Sequence, residues 1–142
     1  MVRQISVFLE NKSGRLAEIT RIIGEAGVNI RALSVADTSD FGVLRFIASD
    51  TDKALEALKA AGVTATATRV IAAEAPDRPG GLASLLQVLS GNGVNVEYLY
   101  AFFHKSGQNA VVILRVEDKE KTLDIFEKNG IKVLTPEEVY TV

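Results

Sequence analysis

Two segments of the chain pair a glycine just before a predicted helix with an asparagine just after it. These residues are Gly14 and Asn29 in the first segment and Gly80 and Asn95 in the second. A helix N-terminus presents unpaired backbone N–H groups, and the helix dipole favours an anion there, so a carboxylate fits. A side-chain amide offers two donors and an acceptor, which suit an α-amino or an α-carboxyl group. The two segments therefore predict binding of a small molecule that carries a carboxylate.

The loop before each glycine supplies a further polar side chain. Asn11 and Asp77 occupy matching loop positions, and either could accept a hydrogen bond from an ammonium group. A purely structural interpretation of the same loops stays open at this level. Glycines are common in turns and at helix ends, an asparagine after a Gly-Val pair can satisfy backbone groups, and Ser13 is a good N-cap.

Side chains suited to catalysis or metal binding are scarce. The chain has no cysteine, which excludes disulfides, thiolate nucleophiles and cysteine-based zinc sites. Its single histidine, His104, adjoins a Lys-Ser-Gly turn and is interpreted as a solvated hairpin residue. Asp50 and Asp118 fall at predicted helix starts, where acids act as caps. We therefore expect no catalytic residue, no metal site and no cofactor, and we predict that the protein is not an enzyme.

Composition limits the partners and the compartment. The formal net charge is −2, and nucleic-acid binding requires a basic surface, so no nucleic-acid partner is expected. The N-terminus has no apolar core of signal-peptide length, and no stretch approaches the roughly 20 apolar residues that span a bilayer. These patterns predict a cytoplasmic protein without a membrane partner.

The chain is an internal repeat of a unit of about 70 residues, as its matches at a constant offset show. Seven residues recur 66 positions later: Gly14, Leu16, Ala17, Gly27, Val28, Asn29 and Leu33 as Gly80, Leu82, Ala83, Gly93, Val94, Asn95 and Leu99. Five more recur 68 positions later: Val43, Asp50, Lys53, Leu55 and Gly62 as Val111, Asp118, Lys121, Leu123 and Gly130. The repeat predicts two domains, at 1–69 and 70–142.

Hydrophobic periodicity gives each copy the order strand, helix, strand, strand, helix, strand. Right-handed crossovers convert that order into a four-stranded antiparallel sheet with two helices on one face, so we predict two tandem ferredoxin-like units of the α+β class. Locally, Ser13 is expected to cap the first helix and Pro79 to lie in the first turn of its counterpart. Residues 64–71 should form the fourth strand of copy one, and 139–142 should pair as a separate strand.

The duplicated segments resemble the ACT domain, a small-molecule-binding regulatory module of amino-acid metabolism. The resemblance rests on Asp77-Arg78-Pro79-Gly80-Gly81-Leu82 followed by Gly93-Val94-Asn95-Val96, and on Asn11-Lys12-Ser13-Gly14-Arg15-Leu16 followed by Gly27-Val28-Asn29-Ile30. It implies a non-catalytic regulator, commonly a homodimer, that binds an amino acid at the loop between the first strand and first helix. In that family, effectors commonly lie where the first loop of one unit faces the second strand of a neighbouring unit.

The resemblance also implies a set of ligand-binding residues. They are Asn11, Ser13, Gly14, Arg15, Leu16, Asn29 and Ile30 in copy one and Asp77, Pro79, Gly80, Gly81, Leu82, Asn95 and Val96 in copy two. An acylphosphatase-like enzyme shares the predicted topology and is the catalytic alternative. Arg15 with Asn29 resembles its phosphate-binding pair, but Gly81 replaces the arginine in copy two, and no paired base and nucleophile appears.

Alternating aromatic residues in copy two indicate a second kind of surface. Tyr98, Tyr100 and Phe102 occupy one predicted strand, which is an edge strand in this topology and has to be covered or blunted. We interpret them as an interface with the other unit or another chain. The alternative function is therefore a protein-interaction module, for example a detached regulatory subunit of a biosynthetic enzyme.

Overall fold

The computed structural model describes residues 1–37, 40–103 and 108–141. In chain order the elements are β1 (Val2–Glu10), α1 (Arg15–Glu25), β2 (Ile30–Asp37), β3 (Phe41–Ala48), α2 (Thr51–Ala60), β4 (Ala65–Pro76), α3 (Gly81–Ser90), β5 (Val96–Phe103), β6 (Asn109–Val116), α4 (Lys119–Lys128) and α5 (Pro136–Tyr140). The predicted βαββαβ order is confirmed in copy one, and copy two follows it as far as α4, after which the described residues form an isolated bridge and the helix α5. The turn residue His104 lies outside the described residues.

The chain divides into two compact units, which consist mainly of Arg3–Thr68 and Arg69–Tyr140. The first unit has the antiparallel strand order β2-β3-β1, and the second has β4-β6-β5. The division falls inside β4, whose first residues, Ala65–Thr68, belong to the first unit. β4 therefore contains the predicted fourth strand of copy one and continues as the first strand of copy two.

The fourth strand of the second unit is shorter than predicted. It is reduced to an isolated antiparallel bridge between Ala73 and Val133. The strand expected at 139–142 is wrong, because the chain forms the short helix α5 instead. Thr135 and Glu138 cap this helix reciprocally: the Glu138 N–H donates to Thr135 Oγ1 at 3.3 Å, and the Thr135 N–H donates to Glu138 Oε1 at 3.2 Å. A threonine followed three residues later by a glutamate is a sequence signal for this capping box.

Both cores lie between one sheet face and two helices, as the apolar periodicity predicts. In the first unit the buried core consists of Ile5, Val7, Leu9, Ile19, Ile23, Val28, Leu44, Phe46, Ala48, Ala54, Leu58 and Val63. In the second it consists of Ile71, Ala73, Ala75, Leu85, Leu89, Val112, Leu114, Val116, Ile125 and Phe126. Alternate residues of each strand face the helices, which leaves the intervening residues on the opposite face of the sheet.

The first helix of each unit starts at a left-handed glycine rather than at the predicted cap. Gly14 precedes α1 with φ of 84°, Gly80 precedes α3 with φ of 83°, and neither N-terminus receives a side-chain hydrogen bond. Ser13 is therefore not the N-cap, and Pro79 lies before the helix rather than in its first turn. Both expectations are wrong because the left-handed turn, which glycine adopts without steric cost, delays the helix start.

The second helix of each unit is capped as predicted. Asp50 accepts a hydrogen bond from the Lys53 N–H at 3.1 Å at the start of α2. Asp118 accepts one from the Lys121 N–H at 3.0 Å at the start of α4. The carboxylates of both residues are thus used in capping. Across the described residues, no helix is long and apolar enough to cross a membrane.

Candidate functional site

The loop of the first unit that contains the predicted ligand residues joins the end of β1 to the start of α1. The Lys12 N–H donates to the Glu10 carbonyl at 2.9 Å, and the Arg15 N–H donates to the Lys12 carbonyl at 3.3 Å. The Asn11 N–H donates to the Asp40 carbonyl at 2.9 Å, which fixes the loop to the chain just before β3. These bonds hold the N-terminus of α1 beside the C-terminal end of β2.

A cleft of about 130 Å³ opens at this place, entirely within the first unit. It is lined by Leu9, Glu10, Asn11, Lys12, Leu16, Val35, Asp37 and Gly42. Leu16 is 40% exposed and Val35 is 43% exposed, so the cleft combines apolar walls with a polar loop. This composition, with apolar lining and a few polar groups, is typical of small-molecule sites.

The charges around this cleft are distributed unevenly. The N-terminus of α1 is positive and lacks a side-chain cap. Lys12 pairs with Glu10 at 3.3 Å, and Arg15 pairs with Glu18 at 3.2 Å. The Arg15 Nε is buried without a hydrogen-bond acceptor. Asp37 forms no ion pair with any residue that the structure describes. The site can therefore accept a carboxylate at the helix and a cation at the strand.

The corresponding loop of the second unit has different side chains on a similar backbone. The Asp77 N–H donates to the Gln108 carbonyl at 3.1 Å, and the Gly81 N–H donates to the Arg78 carbonyl at 2.9 Å. A Cβ at position 81 would collide with the carbonyl oxygen of Pro76. Gly81 is therefore required by a close backbone approach, whereas its counterpart Arg15 bears a long side chain. Leu82 is 39% exposed, much like Leu16 in the first unit.

The second unit also contains a cleft of about 220 Å³ beside α3. It is lined by Glu74, Pro76, Gly81, Ser84, Leu85, Val88, Asn129 and Ile131. Gly81 is the one predicted ligand residue among them. A larger depression, of about 510 Å³, lies in the first unit at Leu55, Lys59, Gly62, Val63, Thr64 and Ala65. It has a single ionisable side chain, Lys59, and none of the predicted residues, so its size does not make it the better candidate.

Within each unit the predicted asparagine lies far from the predicted loop. Ile30 pairs with Ala48 at one end of β2, whereas Asp37 pairs with Gly42 beside the loop at the other end. The seven residue-to-residue steps along β2 separate these ends by roughly 23 Å. The Asn29 backbone is bound to Ser49: its N–H donates to Ser49 Oγ at 2.9 Å, and its carbonyl accepts from the Ser49 N–H at 2.8 Å.

The second unit repeats this separation. Val96 pairs with Val116, whereas Pro76, just before the loop, pairs with Asn109 at the opposite end of β6. Ile30 and Val96 are partly buried against the cores of their own units. Neither unit therefore gathers all of its predicted ligand residues into one pocket. Asn11 and Leu16 share a cleft, and Asn29 and Asn95 lie elsewhere.

The predicted interface residues lie on β5, which is an edge strand of its unit as expected. Tyr98, Tyr100 and Phe102 pair with Arg115, Ile113 and Val111 and therefore share the sheet face opposite the helices. Tyr100 is buried, and the other two are partly buried. Phe103, on the helix-facing side, is 78% exposed and was not among the predicted residues.

Sequence reasoning missed six of the eight residues that line the first cleft: Leu9, Glu10, Lys12, Val35, Asp37 and Gly42. Asp37 resembles an ordinary turn acid in the sequence. Its signal is the alternation of Leu33, Val35 and Asp37, which places the three on one face of a strand. Metal binding is not indicated, since no cluster of three potential ligands occurs within 1–37, 40–103 and 108–141.

Comparisons with known proteins agree with this architecture. The chain matches the ACT domain pair family over residues 1–142. Protein BT0572 from Bacteroides thetaiotaomicron is 38% identical, with 99% of this chain and 96% of that chain covered and a TM-score of 0.93. No curated protein sequence matches the chain.

Two more distant structures share the fold. The regulatory subunit of aspartate kinase from Thermus thermophilus, in its ligand free form, is 19% identical, with 89% and 91% of the two chains covered and a TM-score of 0.66. The regulatory subunit of aspartate kinase from Thermus flavus is 20% identical, with 89% and 90% covered and a TM-score of 0.61. At these identities the likeness shows the fold alone.

The chain belongs to the ACT domain pair family. ACT domains are non-catalytic regulatory modules that bind small-molecule effectors such as amino acids and associate with partner enzymes.

Proposed function

We propose that this protein is a non-catalytic regulator that binds an amino acid at the loop between β1 and α1 of the first unit. The cleft at Asn11, Leu16 and Asp37 carries the proposal. On one side of the cleft, the uncapped N-terminus of α1 favours the carboxylate of the effector. On the other side, the carboxylate of Asp37 favours the ammonium group of the effector. An α-amino acid has both of these groups on one carbon atom.

The remaining predicted residues have proposed roles around this centre. Ser13, Gly14 and Arg15 form the turn that presents the backbone N–H groups to the effector. Asp77, Pro79, Gly80, Gly81 and Leu82 form the equivalent loop of the second unit, which we propose as a second site. Asn29, Ile30, Asn95 and Val96 would contact an effector held by the loop of a second chain in a homodimer.

Regulation requires that the effector bind two states of the protein with different affinity. We propose that occupancy of the loop alters the association of the chain with itself or with a partner enzyme, in the cytoplasm. The protein would catalyse no reaction itself and would need no cofactor. Domain boundaries at 1–69 and 70–142 are part of the same proposal.

Thermal unfolding of the full chain with each of the twenty amino acids at about 5 mM tests the proposal. An effector with a Kd of about 50 μM would stabilise the protein by about 2.7 kcal/mol at this excess. The melting temperature should then rise by several degrees. No shift with any of the twenty, confirmed by calorimetric titration, would reject the proposal.

Matched variants identify the unit that binds. Leu16→Asp and Leu82→Asp alter equivalent, similarly exposed positions in the two units. We expect Leu16→Asp to abolish the shift, because it introduces a charge into the apolar wall of the cleft. If only Leu82→Asp abolishes the rise in melting temperature, the effector binds to the second unit instead.

The exposed edge of the second unit favours a second function, that of an interaction module or detached regulatory subunit. β5 ends its strand order, and its last residue, Phe103, is 78% exposed. Phe103→Ser should then abolish association with a partner enzyme and leave amino-acid binding unchanged. Unchanged association would reject this second function.

A further inference from the structure

The floor of the first cleft is a row of three residues on adjacent strands. Leu9 pairs with Gly42, and Gly42 pairs with Asp37. Asp37 lies on the same face of β2 as Val35, whose neighbours on that face include the buried core. The Asp37 carboxylate therefore lies next to the loop, at the edge of an apolar surface that includes Leu9 and Val35.

Three ionisable side chains line the cleft, and Asp37 is the one that forms no ion pair with the described residues. Glu10 and Lys12, the other ionisable side chains of the lining, pair with each other at 3.3 Å. Asp37 has no ion pair with the described residues. A charged side chain on the effector would therefore find no unpaired counter-ion besides Asp37, whereas an apolar side chain could cover Leu16 and Val35.

We propose that Asp37 is the specificity-determining residue of the first unit and selects α-amino acids with short aliphatic side chains. The proposal rests on the proposed function and names the ligand class of the same site. Asp37 accepts hydrogen bonds from the effector's ammonium group, the N-terminus of α1 binds its carboxylate, and Leu16 with Val35 contacts its aliphatic side chain. Burying that apolar surface drives the last contact.

The second unit lacks this arrangement. The register Asp37–Gly42 in the first unit corresponds to Phe103–Ala110 in the second, so an exposed phenyl ring replaces the carboxylate. A ligand that needs a strand carboxylate is therefore accepted by the first unit alone, and the second site proposed above would bind an effector without that requirement. Phe103→Asp should supply the missing group there.

Calorimetric titration with three related probes tests the proposal on the full chain. L-valine carries the ammonium, carboxylate and aliphatic groups, 3-methylbutanoate lacks the ammonium, and isobutylamine lacks the carboxylate. We expect valine to bind most tightly. Asp37→Asn should weaken valine binding about tenfold, because a charge-assisted hydrogen bond becomes a neutral one, and should leave 3-methylbutanoate binding unchanged.

Asp40→Asn is the matched control, since it removes the same charge three residues away from a side chain outside the cleft lining. It should leave the valine affinity within about twofold, because charges on exposed side chains are screened by solvent. If Asp40→Asn and Asp37→Asn weaken valine binding equally, the loss reflects the net charge near the cleft rather than a contact with Asp37. The proposed role of Asp37 would then be overturned.

Two other outcomes separate this proposal from the proposed function. If valine binds and Asp37→Asn has no effect, or if charged or aromatic amino acids bind and aliphatic ones do not, the specificity proposal is overturned and amino-acid binding stands. If none of the twenty amino acids binds, both are overturned. A tenfold loss of valine affinity in Asp37→Asn, with 3-methylbutanoate binding unchanged, supports both.

Discussion

The two units share a backbone but differ in what they expose at the loop end of the sheet. Gly14, Gly27 and Gly62 have positive φ, as do their counterparts Gly80, Gly93 and Gly130. At the loop end, by contrast, Asp37 is replaced by Phe103, and Arg15 by Gly81. The turns that fix the fold are thus retained in both copies, whereas the exposed side chains differ.

The opposite sheet face shows the same kind of difference. Phe8 and Phe41 are 77% and 56% exposed in the first unit. Their counterparts, Glu74 and Asn109, form a cross-strand hydrogen bond of 3.2 Å in the second. Because such exposed positions contribute little to the core, they can differ without altering the fold. The residues that fix the fold are therefore largely separate from the exposed residues that differ between the two units.

The largest effect is expected where the second unit's backbone is most constrained. Gly81→Ala should destabilise the protein by roughly 2–4 kcal/mol, because the new Cβ would collide with the Pro76 carbonyl and force the backbone apart. Denaturant unfolding measures the change. Arg15→Ala, at the equivalent position, is the control and should change stability by less than about 1 kcal/mol. Similar effects at both positions would contradict the asymmetry.

A smaller effect should distinguish the capped helices from the uncapped ones. Asp50→Ala and Asp118→Ala each remove a carboxylate that accepts a backbone hydrogen bond, at a cost of about 1 kcal/mol. Ser13→Ala should leave the free energy of unfolding unchanged, since α1 has no side-chain cap. If Ser13→Ala lowers the free energy of unfolding as much as the aspartate variants do, Ser13 caps α1 and the assignment of an uncapped N-terminus is wrong.

The smallest effect concerns the C-terminal end of the second unit, next to the bridge between Ala73 and Val133. Lys132 pairs with Glu138 at 2.9 Å, and this hydrogen bond lowers the pKa of Glu138 below its usual value. Lys132→Met should therefore raise the pKa of Glu138 toward that of an ordinary glutamate, as measured by NMR titration of its carboxyl carbon. Lys128→Met, which removes a lysine paired with Asp124 instead, should leave it unchanged.

The same pair predicts the sign of a small pH effect. Because the pKa of Glu138 is lowered in the folded protein, the pair stabilises the fold above the usual glutamate range. That contribution is lost as the pH falls through the folded pKa. Lys132→Met should abolish this part of the acid dependence, and an unaltered acid transition would show that the exposed pair contributes nothing measurable.

Local signals in the sequence predicted the elements that depend on neighbouring residues. The Asp50 and Asp118 caps were correct, because a side chain that binds a backbone N–H three residues away needs no distant partner. The repeat predicted two copies of one unit, because hydrophobic periodicity indicates each strand and helix from neighbouring residues alone. The Thr135–Glu138 capping box was equally local, but the β-branched residues around it favoured a strand instead.

Other features depended on backbone geometry and on residues far apart in the chain. Ser13 has the chemistry of a cap, yet the left-handed Gly14 takes that position. Asn29 follows α1 directly in the sequence, but β2 starts at the end of the sheet opposite the loop. Asp37 joined the candidate site only when strand register placed it beside Asn11.

The sequence by itself determined the repeat, the order of its elements, the buried faces and the family resemblance, because periodicity and turn chemistry act over a few residues. Only the tertiary structure decided which polar groups meet. The cleft is formed by β1, α1, β2 and β3, whose mutual placement depends on strand register and core packing. Those contacts are distant in sequence, and no local pattern specifies them.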